Sequence, residues 1–226
     1  MRAVALVPAA GSGSRLGLAL PKPFVPLAGR PILAHTLARL EAVPLVEAVV
    51  VVAAEGEIET CRGVVRATGL DRVAAVVPGG AERQDSVRSG LAALPAWADL
   101  VLVHDAARPL VPAEVVEAVA REAFASGAAT AAVRPKDTVR DDDGRTLDRR
   151  RLWLVQTPQG FRRDLLVEAH AAAAADGYVG TDDASLVERL GHPVAVVPGS
   201  YRNVKITTRE DLVVAEALLA EEARRP

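Results

Sequence analysis

The strongest constraint on this chain is an alternation that repeats along most of its length. A short continuous apolar run is followed by a turn and then by a stretch with helical periodicity. The runs Val4–Pro8, "VEAVVVVAA" (46–54), "RVAAVVP" (72–78), the start of "DLVLVHDAARP" (99–109) and "AATAAVRP" (128–135) read as strands, with "PVAVVPG" as a later one. Between them lie helical patterns at 31–42, 57–68, 86–94 and 113–127. Continuous, β-branched strand runs belong to strands buried on both faces. Their alternation with helices predicts a Rossmann-like, mostly parallel sheet with helices on both faces. Ligands of such sheets sit beyond the carboxyl ends of the strands, so the loops after Pro8, Val77 and Val103 are expected along one edge.

The second half adds a strand in "LWLVQTPQGF", helices at 162–175 and 181–191 with Thr181 as N-cap, a short strand in "NVKI", and a closing helix in "TREDLVVAEALLAEEARR". The alternation breaks at 134–152, "RPKDTVRDDDGRTLDRRRL", which is polar and arginine-rich. Asp-Gly between two extended stretches is a hairpin signal. With few apolar residues this hairpin cannot pack deeply on its own domain, so it is expected to protrude and lean on a second subunit. The expectation is one domain over 1–226 with a β-arm at about 134–152.

Composition narrows the function. A net charge of −2 argues against a general nucleic-acid surface. No apolar run is long enough for a membrane span, and the chain opens on a strand pattern rather than a leader, so a cytoplasmic location is expected. The single cysteine, Cys61, excludes a disulfide framework and reads as a passive helix residue. The lysines are only Lys22, Lys136 and Lys205 in a chain whose positive charge is otherwise arginine. Lysine is a compact point charge, and each is worth following to its site.

The loop after the first strand, "VPAAGSGSRLGLALPKPF" (7–24), misses two familiar phosphate motifs. The dinucleotide fingerprint would need glycine at Leu16, and Walker A would need lysine after Gly17. The physics survives the misfit. Gly11 and Gly13 allow close backbone approach, consecutive N–H groups make an anion nest, and Arg15 and Lys22 add positive charge. Pro21 and Pro23 are expected to hold Lys22 in an extended segment.

Six segments occur in one order: "PAAGSGSRLGLALPKPF", "GGAERQDSV", "VHDAARP", "WLVQTPQGF", "TDDASLVE" and "NVKITTREDL". Together, with the arm between the third and fourth, they resemble the 2-C-methyl-D-erythritol 4-phosphate cytidylyltransferase family, from about residue 4 to 216. The first segment alone marks only the wider nucleotidyltransferase superfamily, whose sheet is glycosyltransferase-A-like. The resemblance implies transfer of a cytidylyl group from CTP to 2-C-methyl-D-erythritol 4-phosphate, with Mg²⁺ and without a covalent enzyme intermediate. A sister reading changes the acceptor to another polyol phosphate such as ribitol 5-phosphate. A more distant one is a nucleotide-binding module without catalysis. Two anions must meet in the reaction, which calls for positioning and charge neutralisation rather than a nucleophilic side chain. The four scattered histidines fit that demand.

The resemblance also implies roles. Arg15, Lys22 and Lys205 stabilise charge at the reacting phosphate. Ala9, Ala10, Gly11 and Gly13 bring backbone to the nucleotide, and Gly80 and Ser86 read the cytosine. Asp105 serves Mg²⁺ and the ribose–phosphate region. Arg108 holds the second substrate or its own loop, while Thr138 and Arg149 reach from the arm into the partner site of a homodimer, where Thr157 and Thr181 complete the acceptor pocket. Some relatives carry an acidic residue where this chain has Ala81. If that side chain reads the base, selectivity for CTP is loosened; if backbone alone reads it, nothing changes. The run Asp141–Asp143 is read as a solvated turn at the arm's tip, not a metal motif.

Overall fold

A computed structural model describes every residue except 12–16, 18–19 and 225–226. The strands are β1 (Ala3–Pro8), β2 (Pro26–Leu27), β3 (Arg30–Pro31), β4 (Val46–Ala53), β5 (Val73–Pro78), β6 (Leu100–Val103), β7 (Ala128–Val133), β8 (Val139–Arg140), β9 (Thr146–Leu147), β10 (Leu154–Arg162) and β11 (Ala195–Pro198). The helices are α1 (Ile32–Glu41), α2 (Ile58–Thr68), α3 (Arg83–Ala92), α4 (Ala113–Ser126), α5 (Arg163–Ala175), α6 (Asp183–Arg189) and α7 (Arg209–Glu222).

Seven strands form one sheet in the order β11-β7-β10-β6-β1-β4-β5. β1 pairs in parallel with β4 and β6, β4 with β5, and β7 with β11. Only β10 runs against its neighbours, β6 and β7. The alternation along each strand divides the core. Ala3, Ala5, Val7, Val49, Val51, Leu100 and Leu102 pack on the side of α1, α2 and α4, and Cys61 is buried there. Val4, Leu6, Val50, Val52, Val101 and Val103 face α3, α5 and α6. This coverage of both faces is why the strands need no polar alternation. α3 lies so close that a Cβ on Gly90 would stand 2.8 Å from both Leu6 Cδ1 and Val52 Cγ2. A third cluster, of Val25, Leu27, Ile32, Leu110, Ile206 and Ala215, seats α7. Among the described residues no helix is long and apolar enough to cross a membrane.

The arm is a hairpin: β8 pairs antiparallel with β9, and Gly144, with φ of 78°, closes the turn through its N–H to the Asp141 carbonyl at 2.9 Å. Its base is tied by Arg134, whose guanidinium donates to the carbonyls of Arg150 and Leu152 and stacks 3.5 Å from the Trp153 ring centre.

Four expectations shift. α3 begins three residues early, because Glu82 and Asp85 form a capping box. The N-cap of α6 is Asp182, not Thr181; the Asp182 carboxylate accepts from Ser185 N–H at 2.9 Å, and a carboxylate is the better match for a helix dipole. "NVKI" forms no strand; it docks through the Ile206 N–H on the Ala107 carbonyl at 2.8 Å. Lys22 is not extended but opens a 3-10 turn, Lys22–Phe24, in which Pro23 loses no needed N–H and Phe24 is buried.

Candidate functional site

From β1 the chain moves to one side, to β4 and β5, and then crosses to the other side with β6. A crevice opens where the order reverses, at the carboxyl ends of β1 and β6. It holds a cavity of about 200 Å³ lined by Pro8–Gly11, Lys22, Pro23, Gly80–Arg83, Ser86, Asp105–Ala107 and Lys205. Three loops on one edge thus meet, as the alternation predicts. Their backbones extend the strand ladder: Ala9 N–H donates to the Val52 carbonyl at 2.7 Å, and Gly79 N–H to the Ala53 carbonyl at 2.8 Å. The Ser86 hydroxyl accepts from Gly80 N–H at 3.3 Å and donates to the Glu82 carbonyl at 3.2 Å, which folds the Gly-Gly turn back on α3. A Cβ on Gly80 would collide with Asp85 Cβ, so this turn needs glycine.

Asp105 is the electrostatic centre. Its carboxylate meets Lys205 Nζ at 2.8 Å, Arg83 Nε at 3.4 Å and Arg108 Nε at 3.7 Å. Burial alone would raise its pKa, but the three cations outweigh that and hold it well below the usual carboxylate range. Arg83 also donates to Asp183 at 2.7 Å, and Asp183 accepts from His170 Nε2 at 3.0 Å. Burial works to raise the Asp183 pKa as well, yet Arg83 and His170 keep it lowered.

Behind Asp105 lies a directional hydrogen-bond chain. His104 Nε2 sits 3.1 Å from the Arg108 carbonyl, which can only accept, so Nε2 carries the proton. His104 Nδ1 is then an acceptor and takes the Thr157 hydroxyl proton at 3.1 Å, leaving Thr157 Oγ1 to accept from Asp105 N–H at 3.0 Å. Burial pushes the imidazole down to about 4, in keeping with a neutral ring. Asn203, fully buried, donates its side-chain amide to the Thr157 carbonyl at 2.7 Å and accepts from Arg108 at 2.7 Å through its main-chain carbonyl. These bonds fix the segment that brings Lys205, remote in sequence, onto Asp105.

The structure therefore unites Ala9, Ala10, Gly11, Lys22, Gly80, Ser86, Asp105 and Lys205 around one cavity. Gly13 and Arg15 lie outside the described residues. Arg108 and Thr157 are buried behind the cavity, committed to the loop, and neither lines it. Thr181 is exposed just before α6. Thr138 is exposed on the arm, and Arg149 lines a separate open hollow at the arm's base with Arg134, Pro135, Lys136 and Arg150. Arg149 also donates to the Lys136 carbonyl. Among the described residues no three His, Cys, Asp or Glu side chains converge, and the carboxylates lining the cavity are Asp105 and Glu82.

Sequence reasoning overlooked Arg83, although a signal was present. A cation in a helix's first turn opposes the helix dipole, and such a residue needs a compensating anion. For Asp183 and His170 there was none: Asp183 reads as an ordinary first-turn acid.

The family model described as "IspD: 2-C-methyl-D-erythritol 4-phosphate cytidylyltransferase" matches residues 3–221. A protein of that name from Pelotomaculum thermopropionicum is 52% identical over 224 residues, 96% of this chain and 94% of the relative. One from Syntrophus aciditrophicus is 46% identical over 99% of this chain and 98% of its own. Among solved structures, the Thermus thermophilus 2-C-methyl-D-erythritol 4-phosphate cytidylyltransferase is 38% identical with a TM-score of 0.80, covering 97% of this chain and 100% of that one. The Anaerococcus prevotii 4-diphosphocytidyl-2C-methyl-D-erythritol synthase gives 0.85 at 30% identity, over 97% and 96%.

Proposed function

We propose a division of labour within a site whose reaction follows from kinship: the chain belongs to the 2-C-methyl-D-erythritol 4-phosphate cytidylyltransferase family. It transfers a cytidylyl group from CTP to 2-C-methyl-D-erythritol 4-phosphate and releases pyrophosphate. In our reading a phosphate oxygen of the acceptor attacks the α-phosphorus of CTP in line. The new P–O bond forms as the bond to the bridging oxygen breaks, and pyrophosphate departs with that electron pair. The single observation that carries this reading is the cavity at the switch point, where Lys22 and Lys205 flank the loops of Ala9–Gly11 and Gly80.

The base and ribose lie against Ala9, Ala10, Gly11, Gly80 and Ser86, where small residues leave the backbone accessible. Lys22 and Lys205, with Arg15 and the Gly13 loop, neutralise charge that develops on the phosphates; a preorganised donor of this kind is worth about 10²–10³ in rate. Mg²⁺ fits a cavity with so few carboxylates, because this ion is commonly held by one or two of them with substrate phosphates and water. Asp105 is the residue that would hold it, and the ion would supply further neutralisation of phosphate charge.

The acceptor half is composite. Thr138 and Arg149 of the arm serve the partner subunit of a homodimer, Arg149 as a fork suited to a phosphate monoester, with Thr181 alongside. Arg108 and Thr157 hold the loop of Asp105 from behind. A cytoplasmic location belongs to the same proposal.

Purified protein should release pyrophosphate from CTP only when 2-C-methyl-D-erythritol 4-phosphate and Mg²⁺ are both present, and should favour that acceptor over ribitol 5-phosphate. No turnover under those conditions would sink the reading. Mixing Lys22→Ala with Arg149→Ala subunits should restore activity that neither has alone; strict inactivity of the mixture argues against the crossed arm.

A further inference from the structure

Two buried groups outside the cavity have no role in the chemistry above. His170, on α5, and Asp183, at the start of α6, are 2% and 1% exposed. A buried carboxylate is costly unless it is paired and hydrogen-bonded. Asp183 uses both oxygens: Oδ1 accepts from His170 Nε2 at 3.0 Å, and Oδ2 accepts from Arg83 Nη1 at 2.7 Å. Arg83 in turn spans two acids from different parts of the fold, with Nε on Asp105 Oδ1 at 3.4 Å. The other oxygen of Asp105 holds Lys205 at 2.8 Å. A hydrogen bond from His170 to Asp183 and ion pairs from Asp183 through Arg83 and Asp105 to Lys205 therefore form one unbroken chain.

We infer that His170 and Asp183 are positioning residues that set, through Arg83 and Asp105, how Lys205 is presented to the reacting phosphate. The inference rests on the role given to Lys205 above. The physical argument is one of sharing. Asp105 has two oxygens and three cationic neighbours. While Asp183 takes one end of the Arg83 guanidinium, Arg83 leans on Asp105 through Nε alone, and Lys205 keeps the second oxygen. Remove the Asp183 charge, and the whole guanidinium falls to Asp105, its remaining anion among the described residues. A bidentate Arg–carboxylate pair is the stronger competitor, and Lys205 is displaced. The imidazole of His170 keeps the Asp183 carboxylate oriented for this task. A separate tie joins α3 to the segment before α6: Gln84, next to Arg83, donates to the Tyr178 carbonyl at 2.9 Å and accepts from Gly180 N–H at 2.9 Å.

The test is a double-mutant cycle on kcat for pyrophosphate release, using Asp183→Asn, Lys205→Met and both together. Asp183→Asn is expected to lower kcat by about tenfold or more in the wild-type background and by less than about threefold when Lys205 is already methionine. Equal losses in the two backgrounds overturn the relay, because a merely structural defect would multiply. A kcat unchanged by Lys205→Met alone refutes instead the role of Lys205, a failure read from that single variant. Should Asp183→Asn melt below the assay temperature, His170 carries the same cycle. His170→Gln keeps an amide donor toward Asp183 and should retain most of kcat, whereas His170→Phe should lose it only when Lys205 is present. Equal behaviour of the two His170 variants also overturns the relay.

Discussion

Replacing Thr157 by valine separates two accounts of one hydroxyl. By resemblance it binds the acceptor; by geometry it is spent inside the protein, between Asp105 N–H at 3.0 Å and His104 Nδ1 at 3.1 Å. Valine keeps the shape and removes both bonds. The Asp105 N–H and His104 Nδ1 are then left buried without partners, at about 1–3 kcal/mol each. The added methyl returns part of that, so the net loss is about 2–4 kcal/mol. With an m-value of roughly 2–3 kcal/mol/M for urea, the unfolding midpoint falls by about 1 M with m unchanged. Thr157→Ser keeps the oxygen and its proton and should stay within about 1 kcal/mol of the parent. Equilibrium urea unfolding reads stability, and steady-state pyrophosphate release reads KM for the acceptor in the same samples. A valine variant with an unaltered midpoint and a raised acceptor KM would refute the geometric account and return the hydroxyl to the substrate.

Further outcomes follow from single features. His104 is held near 4 in the fold against about 6.5 when unfolded, so between those values the unfolded chain binds the extra proton and stability falls as pH drops, by about 2 kcal/mol from pH 7 to pH 5; urea midpoints at the two pH values check this, and a flat profile contradicts a neutral buried ring. Lys22→Met should lower kcat by about 10²–10³ in the pyrophosphate assay, whereas a change confined to KM for CTP would make Lys22 a binding group only. Gly90→Ala forces a Cβ to 2.8 Å from Leu6 Cδ1 and Val52 Cγ2 and should cost about 1–3 kcal/mol, seen as a Tm lowered by roughly 2–10 °C.

How much of this was legible in the sequence depends on the range of the interaction. Strand and helix identities were readable because apolar continuity and helical periodicity are local, and the hairpin was readable from Asp143–Gly144. The reversed direction of β10 was not, since an apolar run looks the same whichever way it is threaded. The failure of "NVKI" to pair has a similar cause: its burial comes from Asn203 and Ile206 docking on distant loops, which a propensity for strand cannot anticipate. At the site, Lys22, Asp105 and Lys205 stood out as scarce or strand-end charges, and they do meet. Thr157 did not betray its inward role, because that role depends on a histidine 53 positions away.

The same distinction explains how so many cations occupy one crevice. Lys22 arrives at the cavity on a 3-10 turn, Arg83 at the head of α3 and Lys205 on a segment pinned by Asn203, while Arg108 stands behind the cavity in the loop after β6. Two like charges 4 Å apart repel by about 4 kcal/mol at an effective dielectric constant of 20, so local sequence alone would scatter them. Asp105 and Asp183 offset that repulsion from the centre and from behind; Arg83 and Lys205 reach them across long stretches of sequence, while Arg108 is Asp105's neighbour in its own loop. Among these six groups the balance is four positive charges to two negative. The surplus is what a polyphosphate can use, while the two carboxylates keep Arg83, Arg108 and Lys205 convergent before it binds. A crevice lined by lysine and arginine without internal anions would hold its charges apart and present them to solvent, not to one reacting phosphorus.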